Sequence, residues 1–112
     1  MNYQQVKRAE PEGIYHVGEL HVPPVALVAT FGEPSEKTPS IESMGEYYFR
    51  SANGEHFVVY VLDPDVLPKD LEKTKPQFWL VTDPVPFSIG AERESDVEEF
   101  KHWIQVQIKL NS

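Results

Sequence analysis

The sequence predicts an α+β fold: an antiparallel β-sheet meander with a central hairpin, packed against a C-terminal amphipathic helix and a short N-terminal helix. Three observations carry that prediction. Gly45 to Asp63 (GEYYFRSANGEHFVVYVLD) holds two apolar-aromatic runs separated by Asn53-Gly54, the strongest short-range hairpin signal. Val97, Phe100, Trp103, Ile104 and Ile108 recur at helical spacing, so the C-terminal segment presents one apolar stripe. Short apolar runs elsewhere are bounded by Pro and Gly, which reads as strands closed by turns.

Taken in order, Met1 to Gly13 is polar and broken by Pro11 and Gly13. It reads as a loose lead-in to a single domain spanning residues 14–112. Ile14 to Val22 alternates weakly and predicts a first strand. Pro23-Pro24 then opens a short helix, with Pro24 in its first turn and Val25 to Phe31 as its body, stopped by Gly32 and Pro34. Glu33 to Ser43 is rich in Ser, Glu and Pro, the composition of a surface loop.

For the hairpin, Asn53-Gly54 predicts a two-residue type I′ turn, since both of its central residues need positive φ. That turn pairs Tyr47 with Tyr60, Tyr48 with Val59, Phe49 with Val58 and Arg50 with Phe57. One face then carries Tyr47, Phe49, Val58, Tyr60 and Leu62 as core. The other carries Glu46, Tyr48, Arg50, Phe57, Val59 and Val61. This second face is too apolar for solvent. The expectation is that the short helix or a second copy of the chain covers it, or that Tyr48, Phe57 and Val59 meet a partner.

Asp63 to Pro76 holds three prolines and reads as a loop, docked by Val66, Leu67 and Leu71. Gln77 to Thr82 (QFWLVT) has strand composition, Asp83-Pro84 breaks it, and Pro86 to Ala91 (PFSIGA) predicts a further strand. In the final helix, Ser95 stands three residues before Glu98, the capping-box spacing, and Asp96, Glu98 and Glu99 complement the positive end of the helix dipole.

At 112 residues the chain is long enough to bury one core and short enough to need no second domain. Cysteine is absent, which removes disulfides, thiolate nucleophiles and thiolate metal sites together. No apolar run approaches the roughly 20 residues of a membrane span, and the N-terminal stretch lacks the apolar segment of a signal peptide. A soluble, cytoplasmic protein is expected. With 10 basic and 18 acidic residues the formal charge is -8, which disfavours direct nucleic-acid binding through phosphates and favours a basic protein partner.

Motifs for chemistry are sparse. His16, Glu19 and His21 are close in sequence, but in a regular strand His16 points away from the other two, so no metal site is expected. No G-x-S-x-G or equivalent activated nucleophile occurs. Free amides after Gly90-Ala91 would suit an anion, yet Glu92, Glu94, Asp96, Glu98 and Glu99 crowd that helix start. No cofactor motif and no catalytic signature are found, so the sequence points away from an enzyme.

The order of short motifs resembles a group of small uncharacterised proteins from bacteriophages and large DNA viruses. The residues that carry the resemblance are FGEP (Phe31 to Pro34), GEYYF with its partner strand FVVY, and FSIGA before a capped C-terminal helix. It covers roughly Val25 to Ile108. The chain departs from the group where Val61-Leu62 follows Tyr60, and where Phe87, Ser88 and Ala91 replace Trp, His and Gly. The group implies no established activity.

Three functions compete on these grounds. The first is a small acidic interaction protein, phage- or virus-like, that binds and modulates a host protein, as monomer or homodimer, with Glu92, Glu94 and Glu99 facing a basic surface. The second is a ligand-binding module whose aromatic pocket is formed by Tyr47, Tyr60, Trp79 and Phe87. The third is an acidic mimic of DNA.

Overall fold

Antiparallel pairing around the hairpin organises the molecule. The computed structural model describes residues 3–6, 15–35, 43–62, 78–91 and 97–111. These form β1 (Tyr3–Val6), β2 (Tyr15–Val22), α1 (Pro24–Phe31), β3 (Ser43–Ser51), β4 (His56–Leu62), β5 (Val85–Ala91) and α2 (Val97–Leu110). The strands make one antiparallel sheet in the order β1-β3-β4-β5-β2. Thus β3, β4 and β5 are a meander, whereas β1 and β2, consecutive in the chain, occupy opposite edges. Both helices lie on one face: Phe31 of α1 meets Phe49 edge-on at 5.1 Å, and Phe100 of α2 stacks on Phe57 at 4.4 Å. The fold is α+β, as the sequence predicts.

The hairpin register differs from the predicted one by a single residue. Tyr47 pairs with Val59, Tyr48 with Val58, Phe49 with Phe57 and Arg50 with His56. The loop is longer than two residues: Ser51 N–H donates to Glu55 C=O at 2.8 Å, Gly54 N–H to Ser51 C=O at 2.9 Å, and Glu55 N–H to Ser51 Oγ at 3.1 Å. Gly54 takes the positive φ, +84°. This is the three-residue connection, in which one αL residue follows a turn. Because side chains alternate with period two, the slip turns β4 over. Phe57, Val59 and Val61 join Tyr47 and Phe49 in the core under the helices, while Val58 and Tyr60 join Glu46, Tyr48 and Arg50 on the opposite face.

Two further expectations are corrected. Residues 3–6, assigned to a loose lead-in, form β1 along β3, and Tyr3 packs edge-on against Phe57 and Phe100. Residues 78–80 form a helical turn where QFWLVT predicted a strand. Phe78 and Trp79 are adjacent and both buried; a strand would send one of them to each face, whereas a turn delivers both to one core. The same turn serves the start of α1, since Val81 C=O accepts from Val25 N–H at 3.2 Å. Pro23 at that N-cap offers no side-chain acceptor, so a neighbouring carbonyl takes its place. The predicted cap at Ser95 and Asp96 and the loop from Asp63 to Pro76 lie outside the described residues.

β3 carries one extra residue between Ser43 and Glu46, the defining count of a bulge. Gly45 sits there at φ +139°, and a Cβ on it would stand 2.9 Å from Trp79 Cζ2 and 3.0 Å from two Pro34 carbons. Gly54 has positive φ but open space around it. Gly45→Ala is expected to cost about 3 kcal/mol, from backbone strain and overpacking together. Gly54→Ala, which carries the backbone cost alone, should lose only about 1 kcal/mol. Urea denaturation of the two variants checks this, and equal losses would refute the close packing at Gly45.

Candidate functional site

The segment FGEP, with the Ser35 that follows it, is joined to GEYYF by hydrogen bonds. Ser35 and Glu46 exchange a backbone pair, N–H to C=O at 2.8 and 2.9 Å, forming an isolated bridge. Tyr47 donates its hydroxyl to Gly32 C=O at 2.7 Å. With Pro34 resting on Gly45, the motif residues thereby hold the end of α1 against β3. Their placement assigns them a structural task.

Three of the four aromatics expected to line a pocket do converge. Trp79 stacks on Phe87 at 5.9 Å and meets Tyr47 edge-on at 5.7 Å, with Phe78 edge-on to Trp79 at 4.9 Å. They are packed ring against ring and buried, the ordinary geometry of aromatic core. Tyr60 is not among them, because the register places it on the opposite face, beside Glu46 and Ser88. Burial raises the Tyr60 hydroxyl above its usual range. Burial, and then the nearby Glu33 carboxylate, push the Tyr47 hydroxyl far above its usual value of 10.0.

The residues expected at a partner surface separate. Phe57 and Val59 are 2% and 1% exposed in the core under α1 and α2, which corrects their assignment to the second face. Tyr48 does lie on that face, at 5% exposure, and its hydroxyl donates to Glu46 Oε2. Glu46 is itself buried at 2%. The Glu-Tyr-Tyr spacing carried this signal, since residues two apart on a strand share a face. Glu99 stands in the first turn of α2 with Glu98, whose carboxylate lies 3.7 Å from Lys101 Nζ. Glu92 and Glu94 fall outside the described residues.

The histidines also rearrange. A bulge between His16 and Gly18 sets His16 opposite Gly90, Glu19 opposite Ser88 and His21 opposite Pro86, so all three share one face, contrary to a regular strand. His21 approaches Glu19 at 3.7 Å, both well exposed. His16 and His21 are nevertheless four partner positions apart, about 13 Å along a strand, too far for ligands of one ion at about 2 Å. Among the described residues no group of three His, Asp or Glu is placed to hold a metal. No helix among them is long and apolar enough to cross a membrane.

One further feature had no sequence expectation. A depression of about 300 Å³ opens where β1 meets the hairpin loop, lined by Tyr3, Gln4, Arg50, Ser51, Ala52 and Gly54. Compared with protein-family models and with curated proteins, the chain matches none.

The raised Tyr47 hydroxyl makes stability sensitive to alkali. Its proton is held more tightly in the folded state, so its contribution is complete below pH 10 and declines as pH rises above the unfolded value. Tyr47→Phe removes both this decline and the bond to Gly32. Expected at neutral pH is a loss of about 1 kcal/mol, with a shallower fall in stability above pH 10 than in the unmodified chain. Chemical denaturation across that pH range measures both, and an unchanged alkaline slope would contradict the assignment.

Proposed function

We propose that this chain is a small acidic interaction protein that binds and modulates another protein through a basic surface on that partner. The observation that carries the reading is the charge: 18 acidic against 10 basic residues, net -8. Such an excess raises association rates with basic surfaces. Glu98 and Glu99 at the start of α2 supply part of it where the described chain ends its last strand and begins its last helix. The resemblance to bacteriophage and large-DNA-virus proteins supports a host protein as that partner, met in the cytoplasm. The pocket reading has less support, because Tyr47, Trp79 and Phe87 already fill the space between them and Tyr60 is elsewhere.

Affinity capture from a lysate identifies the partner, and the Glu92→Gln, Glu94→Gln, Glu99→Gln triple variant tests the mechanism. The variant should associate more slowly and with a flatter salt dependence while the fold persists. A basic nucleic-acid-binding partner would turn the reading towards DNA mimicry. Unchanged affinity and unchanged salt response would remove the acidic stretch from the binding surface altogether.

A further inference from the structure

We infer that the depression between β1 and the hairpin loop is an oxyanion site, taking a carboxylate or phosphate group on Arg50. In a chain with 18 carboxylate side chains, the described residues that line this hollow include one charged side chain, Arg50, and no acid. Among the described lysines and arginines, Lys101 lies beside Glu98 and Lys109 has its own interaction. The Arg50 guanidinium has neither an ion pair nor a hydrogen bond among the described residues. A planar guanidinium with no described partner is the side chain best matched to a two-oxygen acceptor.

The surroundings add donors. Gln4 is the direct cross-strand partner of Arg50, so its amide lies on the same face. The loop spends the N–H groups of Ser51, Gly54 and Glu55 on its own closure, while the N–H of Ala52, also in the lining, has no partner among the described residues. At about 300 Å³ the hollow is at the small end of ligand sites. It suits a terminal group or a small molecule and excludes a large cofactor. The site is independent of the acidic surface proposed above, and either can fail without the other.

The test is a titration of the ¹⁵N-labelled chain with acetate and, separately, with inorganic phosphate, at constant pH and ionic strength. Expected are saturable shifts of the Ala52 and Gly54 amides and the Arg50 side chain through the millimolar range. Arg50→Gln should weaken binding about tenfold or more, and Arg50→Lys, which keeps the charge without the fork, should fall between. Saturation by acetate alone assigns a carboxylate, by phosphate alone a phosphoryl group, and by both a general oxyanion site. Shifts that stay linear with both anions, or that persist in Arg50→Gln, would overturn the inference.

Discussion

The stacking of Phe100 on the sheet is the contact on which the rest of this structure depends. Its ring lies against Phe57 at 4.4 Å and meets Phe49 and Tyr3 edge-on, with Trp103 one turn along the same helix stacked beside it. One side chain from α2 thus touches β1, β3 and β4 together. The contact also explains the registers: Phe57 must face the helix, and with it Val59 and Val61, because alternation allows no mixture. Truncating such a buried ring costs about 3 to 5 kcal/mol, a large part of what holds a domain of this size.

A second constraint comes from close backbone approach. Gly45 lets Trp79 and Pro34 stand where a side chain would otherwise be. The turn at residues 78–80 can then place Phe78 and Trp79 under the sheet and still offer Val81 C=O to α1. At the other end of α1, Tyr47 holds Gly32, and Asn111 Nδ2, just past α2, donates to Ala29 C=O at 2.6 Å. A helix of eight residues is too short to be stable alone; this one is held at its N-terminus, its C-terminus and one side.

The elements legible in the sequence were those whose signal is local. Val97 to Ile108 repeats with helical period, Pro24 and Gly32 mark both ends of α1, and Asn53-Gly54 locates the hairpin tip. What sequence reasoning missed depends on distant partners. Whether the hairpin loop has two residues or three is decided by which side of β4 the helices cover, and Val58 and Val59 are equivalent until that is known. Trp79 reads as a strand residue because its adjacency to Phe78 matters only against a core. Tyr3 looks like part of a polar leader because its neighbours on β3, β4 and α2 lie far along the chain. Of the expected pocket residues, Tyr47, Trp79 and Phe87 meet, as core packing. Arg50 was overlooked because its interest lies in its having no partner among the described residues, which no sequence displays.

The sheet order has a kinetic consequence. β3, β4 and β5 are neighbours in space, and β3 and β4 need only a three-residue loop to meet, so their hairpin can form within microseconds. β1 has no such local route: its pairing of Tyr3 with Ser51 closes a long loop whose entropy must be lost before four residues of ladder return anything. The same holds for β2 at the opposite edge, whose pairing of Tyr15 with Ala91 closes a longer loop still, so both edges are expected to be seated after the meander. Of the two, β1 has the shorter ladder, four residues, so the edge beside the hairpin tip is expected to need less free energy to open than the meander beneath it.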